Sequence, residues 1–159
     1  TSTGVRLLDV CTGPGYGAAA ATQRGALAFG MDFSAPMIAQ ARRQYPGVPF
    51  LVGDAEEFPF APASFDAVLS TYVVSTLLDE NVVLPMVDAV KPGGRIVVAD
   101  DNLPPGWYVG PGHMLRNFWR HGWPDLKRAT IRALEPFVQH IEVAFCHYGM
   151  IFIIAGTRR

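Results

Sequence analysis

Val5-Arg6-Leu7-Leu8-Asp9-Val10-Cys11-Thr12-Gly13-Pro14-Gly15-Tyr16-Gly17 is the stretch on which the fold turns. Its first part, Val5–Val10, is an apolar run with little period-2 alternation, the pattern of a strand buried on both faces. Gly13, Gly15 and Gly17 follow at every second position. They let a ligand approach the backbone closely and start a helix over Gly17–Arg24. A strand, a glycine turn and a helix in that order open a βαβ unit.

The alternation continues outward. Ala26–Met31, Val48–Val52, Phe65–Ser70 and Arg95–Asp100 read as further buried strands, with Ala35–Tyr45 and Leu77–Val90 as helices between them. Met37, Ile38 and Ala41 share a helical face, and Ser34 stands at the N-cap position before Ala35-Pro36. Strands alternating with helices imply right-handed crossovers and a parallel sheet. The segment between Val52 and Asp66 holds Pro59 and Pro62 and reads as a loop with at most one helical turn. Beyond the fifth strand, Asp101–Gly112 reads as a long loop. Met114–Gly122 and Leu126–Phe137 read as short helices broken at Pro124. Val138–His147 and Gly149–Thr157 read as an antiparallel hairpin turning near Tyr148-Gly149.

The 159 residues amount to one domain, expected over 1–159, with no internal repeat. Half of them are hydrophobic and 17% charged, a globular balance that leaves no room for a disordered tail. A net charge of −1 and the lack of a basic stripe argue against nucleic acid as a partner. No apolar run approaches the roughly 18–20 residues of a membrane span, so the expectation is a cytoplasmic chain without a membrane partner. Cys11 and Cys146 are isolated, which argues against a disulfide framework and a Cys-x-x-Cys site, and no metal is expected. Oligomeric state is not legible.

In an open parallel sheet, ligands bind outside the carboxyl ends of the strands. Strand one ends in Asp9 and the glycine run, strand two in Asp32, strand three in Asp54. Strand four ends in Ser70-Thr71-Tyr72 and strand five in Asp100-Asp101. Each aspartate alone is an ordinary cap or turn residue; three at successive strand ends point to a shared, acidic crevice. Gly13-x-Gly15-x-x-Ala18, with Asp32 about 20 residues on, also satisfies the dinucleotide pattern. Asp9 does not suit that ligand, because a carboxylate facing a pyrophosphate is repulsive. A ligand carrying ammonium and sulfonium charges suits it better.

Four segments carry a resemblance. Leu7-Leu8-Asp9-Val10-Cys11-Thr12-Gly13-Pro14-Gly15 resembles the first motif of class I S-adenosylmethionine-dependent methyltransferases. Gly30-Met31-Asp32-Phe33-Ser34-x-x-Met37-Ile38-x-x-Ala41-Arg42 is similar to their second-strand motif, in the variant of ubiquinone/menaquinone-biosynthesis-type small-molecule enzymes. Gly53-Asp54-Ala55-Glu56-x-Phe58-Pro59-Phe60 with Ser64-Phe65-Asp66 resembles the segment entering strand four. Val90-Lys91-Pro92-Gly93-Gly94-Arg95 resembles the turn before strand five. Cys11 stands where many members carry glycine or alanine, and a small side chain still fits. Members usually begin with some tens of residues of helix covering the cofactor. Here strand one begins after Thr1 to Gly4, so a domain without that N-terminal helical cover is expected.

The resemblance implies a Rossmann-like, mostly parallel seven-stranded sheet in the order 3-2-1-4-5-7-6, with helices on both faces and the last inserted strand antiparallel. It implies S-adenosylmethionine as cofactor, S-adenosylhomocysteine as product, and a small-molecule methyl acceptor. Thr12, Gly13 and Gly15 would lie against the methionine moiety, with Asp9 orienting its amino group. Asp32 would take the ribose diol, Phe33 and Met37 would flank adenine, and Asp54 and Ala55 would meet its edge. Ser70 and Thr71, leading to Tyr72, would pass under the sulfur. Phe33 and Met37 are equally readable as helix–sheet core.

Alignment of an acceptor behind an activated methyl group is the main demand on such a protein, and a base is needed only if the acceptor must lose a proton. His113, Tyr72 and Asp101 are the candidates, with His121 and His147 behind them. Tyr72, Trp107, Tyr108 and His113 are the candidate acceptor contacts, in a stretch that also holds Phe118, Trp119 and Trp123; an aromatic or apolar acceptor follows from these rings. Arg116, Arg120, Lys127, Arg128 and Arg132 read as a solvated helix face. Two other readings stand beside this one: an NAD(P)-dependent oxidoreductase, and a truncated or degenerate cofactor-binding domain without activity.

Overall fold

The computed structural model describes residues 4–72, 79–101, 126–149 and 151–159. The strands are β1 (Arg6–Val10), β2 (Leu27–Asp32), β3 (Phe50–Val52), β4 (Phe65–Thr71), β5 (Val90–Asp101), β6 (Val138–Cys146) and β7 (Ile151–Arg158). The helices are α1 (Tyr16–Gln23), α2 (Ala35–Gln44), α3 (Glu80–Ala89) and α4 (Leu126–Leu134). One seven-stranded sheet runs β3-β2-β1-β4-β5-β7-β6. It is mixed: β3 through β5 pair in parallel, while β5–β7 and β7–β6 are antiparallel. The hairpin accounts for this, because β7 returns directly from β6 without a crossover.

Both faces of the sheet are covered, which is why its central strands lack alternation. Leu8, Val10, Val68, Ile96, Val98, Phe152 and Ile154 pack against Val82, Val83, Met86 and Val87 of α3 and Leu134 of α4. On the opposite face Leu7, Ala28 and Phe50 pack under Ala18 and Ala21 of α1 and Ile38 and Ala41 of α2. Ile38 and Ala41 are fully buried. Truncating Ile38 to alanine would cost about 2–5 kcal/mol at such a site.

Several boundaries differ from the sequence reading for local reasons. β3 begins at Phe50 rather than Val48; Pro49 has no N–H for the ladder, although its carbonyl accepts from Gly30. α4 stops at Leu134, short of Phe137. α3 begins at Glu80, where the Asp79 carboxylate accepts from Asn81 N–H at 2.9 Å and caps the helix. Pro85 lies inside α3. The helix persists across the missing hydrogen bond because Val82, Val83, Met86 and Val87 bury against the sheet. β5 starts at Val90, but its register against β4 breaks between Phe65 and Ala67 and is regular only from Arg95. Gly93, at φ 76°, marks the turn expected there. The hairpin turns through His147–Gly149, with Tyr148 in the left-handed region. The expected helix Met114–Gly122 and most of the loop Asp101–Gly112 lie outside the described residues.

Candidate functional site

The strand order reverses between β1 and β4, so their connections leave in opposite directions and open a crevice at the carboxyl edge. The turn after β1 builds its floor. Gly15 caps α1 at φ 88°, ψ 13°. A Cβ there would stand 2.7 Å from Cζ of Phe50, so both the backbone angle and the space demand glycine. A Cβ on Gly17 would come within 2.6 Å of Oδ2 of Asp9. That vacant volume seats the Asp9 carboxylate beneath the first turn of α1.

Asp9 is fully buried there. Its Oδ2 accepts from Thr12 Oγ1 at 2.5 Å and from Ala18 N–H at 2.9 Å. β1 thus supplies the helix cap that Gly15 has no side chain to provide. Oδ1 has no hydrogen-bond partner among the described residues. Burial pushes the Asp9 carboxyl up to about 6, against the Thr12 and Ala18 bonds that pull it down; the charge of Asp32 adds to the rise.

Asp32 ties the loop after β1 to the turn after β2. Its Oδ2 accepts from Gly13 N–H at 2.8 Å and its Oδ1 from Ser34 N–H at 2.9 Å. The expected Ser34 cap is corrected here. Ser34 occupies the N-cap position of α2, but its hydroxyl makes no capping bond. The aspartate two residues earlier holds the turn instead. Cys11 also differs from expectation, since side-chain size is not the constraint. At φ 57° its backbone lies in the left-handed region, where a non-glycine residue costs about 1–3 kcal/mol. Its half-buried thiol is pushed up to about 11, first by burial and then by the charges of Asp32, Asp9 and Asp54.

A cavity of about 150 Å³ opens at this edge. Cys11, Met31, Asp32 and Phe33 line one side, Gly53 through Glu56 the other, and Val82 of α3 closes it. Asp54 accepts from Glu56 N–H at 3.0 Å, and Ala55 is buried. Phe33 is 76% exposed and Met37 43%, which overturns the core reading for both; Phe33 borders the cavity, and Met37 stands on the adjoining turn of α2. Thr12, Gly13, Gly15 and Asp9 build the floor from beneath rather than lining this cavity. On the β4 side, Ser70 is fully buried and donates through Oγ to the carbonyl of Val10 at 3.2 Å, so its hydroxyl ties β4 to β1. Thr71 ends β4, and Tyr72 follows, 59% exposed and at φ 61°.

Trp107, Tyr108 and His113 lie outside the described residues, as do His121, Phe118, Trp119 and Trp123; Asp101 is described in its backbone alone. His147 is exposed in the β6–β7 connection at the same edge, three strand spacings from β1, or about 14 Å. Cys11, Met31, Gly53, Glu56 and Val82 line the cavity without having been singled out for it. Cys11 and Met31 were visible within their motifs, but Val82 arrives on a helix distant in sequence and had no local signal.

The site's chemistry is acidic, and three backbone donors of the glycine loop and the first turn of α1 are already used within the protein. Gly13, Gly15 and Ala18 N–H groups already donate to Asp32, Thr12 and Asp9. A pyrophosphate needs those donors; a cationic ligand rich in hydroxyls does not. Among the described residues, no three His, Cys, Asp or Glu side chains group to hold a metal, and no helix is long and apolar enough to cross a membrane.

Residues 8–98 match the family model described as a methyltransferase domain. The chain is 37% identical over 103 residues to a demethylmenaquinone methyltransferase of Beutenbergia cavernae, covering 64% of this chain and 43% of that one. It is 34% identical over 119 residues to the biotin biosynthesis bifunctional protein BioHC of Cellvibrio japonicus, covering 72% of this chain and 22% of that one. The chain therefore spans less than half the length of these curated relatives. Among solved structures it superposes with a TM-score of 0.69 on a TehB-like SAM-dependent methyltransferase from Corynebacterium glutamicum, at 18% identity over 100% of this chain and 83% of that one. A phosphoethanolamine N-methyltransferase of Haemonchus contortus, solved with S-adenosylhomocysteine, gives 0.72 at 19% identity over 99% and 49%. With more than half of its residues matched to the family model and a Rossmann-like sheet of this order, the chain belongs to the methyltransferase domain family, of the class I fold.

Proposed function

We propose that this chain binds S-adenosylmethionine and transfers its methyl group to a small-molecule acceptor. The observation that carries the reading is the acidic cavity between Asp32 and Asp54, backed by a glycine loop whose donors are already spent within the protein. The residues fit the cofactor. Asp32 keeps lone pairs free for a ribose diol after accepting from Gly13 and Ser34, and Phe33 offers an exposed ring beside the cavity. Asp54 and Ala55 face it as polar and backbone edges for a purine. Gly13, where a Cβ would meet nothing within 4 Å, leaves open space above the loop, and the partnerless Oδ1 of Asp9 lies beneath that loop as an acceptor for an ammonium group.

When bound, the cofactor supplies a methyl group activated by its sulfonium. The protein's own residues hold it, keep water from its buried side and set the direction from which an acceptor arrives. The acidic lining favours this cation over the dinucleotide of the oxidoreductase reading. Calorimetry with S-adenosylmethionine, S-adenosylhomocysteine and NAD tests the assignment. Binding of the first two and not the third is expected. Binding of NAD alone would restore the oxidoreductase reading, and binding of none would leave a degenerate domain.

A further inference from the structure

The sheet has two edges, and they differ. β3 is three residues long and lies between Pro49 and Gly53. β6 is nine residues long and carries no proline, lysine or arginine, the residues that commonly keep an edge from pairing. A bulge disturbs its start, where the register against β7 shifts between Gln139 and Glu142 and His140 sits at φ 52°. From Glu142 to Cys146 the register is regular. The ladder fixes which backbone groups of that stretch point outward. Tyr72 N–H donates to the carbonyl of Ala99, so Ala99 turns its groups to β4. Ile153, opposite Ala99, therefore bonds on its other side, to Ala144. The alternation directs the N–H and C=O groups of Val143 and Phe145 away from β7, and among the described residues no strand pairs with that side.

The side chains of the same two residues carry the core to the edge. Val143 lies beside Ile154 and Phe145 beside Phe152, both of them buried under α3 and α4. Val143 is 41% exposed and Phe145 51%, with Lys127 of α4 over one face of the Phe145 ring at 5.3 Å. We propose that β6 is a dimer interface, pairing antiparallel with β6 of a second copy about a two-fold axis at Ala144. A second copy answers every feature of this edge at once. Val143 and Phe145 of one copy face Phe145 and Val143 of the other, and about four backbone hydrogen bonds form between them. Their side chains make aromatic–β-branched cross-strand pairs that continue the core from one sheet into the next. Glu142, held by Arg95 at 3.2 Å, falls opposite Cys146, so the pairing brings no two carboxylates together. A net charge of −1 opposes the association little.

Sedimentation equilibrium tests this. At about 100 µM the whole chain should show twice the 17.3 kDa of one copy, and it should dissociate on dilution. Val143→Lys sets an ammonium group on the pairing edge and should weaken dimerisation at least about tenfold, with the far-UV circular dichroism unchanged. Leu51→Lys, at an exposed position on the opposite edge, should leave it within about twofold. Ala144→Cys should form an intermolecular disulfide on mild oxidation, because the axis sets the two Cα atoms about 4.5 Å apart, within disulfide reach. That variant decides the matter if Val143→Lys does not fold. A parent that stays monomeric at the stated concentration, a dimer that survives Val143→Lys, or an Ala144→Cys dimer that does not cross-link overturns the assignment. Loss of the dimer in Leu51→Lys alone places the interface at β3 and overturns it as well.

Discussion

Replacing Asp9 by asparagine should stabilise this protein at neutral pH and weaken its hold on a cationic cofactor. The carboxylate is fully buried, and its Oδ1 has no partner. Its rise from 3.8 to about 6 corresponds to about 3 kcal/mol of instability carried by the ionised form. The sign follows from proton counting. Between pH 4 and 6 the folded protein holds a proton on Asp9 that the unfolded chain has released, so stability falls as pH rises through this window and levels off above it. Below about pH 4 both states are protonated and the penalty vanishes. Asparagine keeps one carbonyl for both Ala18 N–H and the Thr12 hydroxyl, which share Oδ2 in the parent, and its amide nitrogen takes the place of the unpartnered Oδ1. Part of the gain is forfeited because a neutral acceptor bonds more weakly than a carboxylate and the buried amide N–H groups find no acceptor at the Oδ1 position, which leaves an expected stabilisation of about 1 kcal/mol at pH 7.5. Urea unfolding of parent and variant from pH 4 to pH 8 measures this. Their difference should shrink towards zero or reverse near pH 4. A variant less stable at pH 7.5, or a difference that ignores pH, would refute the account of Asp9 as a buried charge kept for a ligand. Calorimetry on the same variant should show weaker S-adenosylmethionine binding.

Three further outcomes follow from the site. Asp32→Ala should weaken S-adenosylmethionine by about 1.5–3 kcal/mol in calorimetry. It should also lower the melting temperature, because Gly13 and Ser34 N–H groups lose their acceptor; unchanged affinity would reduce Asp32 to a turn residue. Gly15→Ala should destabilise by at least about 2 kcal/mol in urea unfolding, since it adds a left-handed non-glycine residue to a contact 2.7 Å from Phe50. A matching Phe50→Leu change should recover part of that loss, and no recovery would place the damage in the backbone alone. Alkylation of Cys11 by iodoacetamide, followed by peptide mass spectrometry, should keep accelerating up to about pH 11. A plateau by pH 9 would contradict the acidic, desolvated setting assigned to this thiol.

The alternation of buried strands with helices, the glycine turn after Asp9 and the terminal hairpin were all legible in the residues. Hydrophobic period, turn chemistry and strand length act over a few neighbours, so the local sequence carries them. Aspartates at three successive strand ends could be read as well, because the position of a strand's end is itself a local property. Where each carboxylate points is not. Asp9 lies under α1 because Gly17 leaves it room, and Asp32 spends both oxygens on backbone donors from two different turns. Phe33 and Met37 have the spacing of core residues, yet they stand exposed, Phe33 in the turn past the end of β2 and Met37 on the first turn of α2. Pro85 argues against a helix by propensity, and α3 forms over it because four valines and methionines bury against the sheet. Val82 closes the cavity from a helix some fifty residues beyond the strand end it faces. Such arrangements depend on which distant surfaces meet, and no window of sequence contains both partners. The order of elements is thus a property of the chain read locally. Only the packed sheet decides which carboxylates are buried, which are committed to backbone and which are left for a ligand.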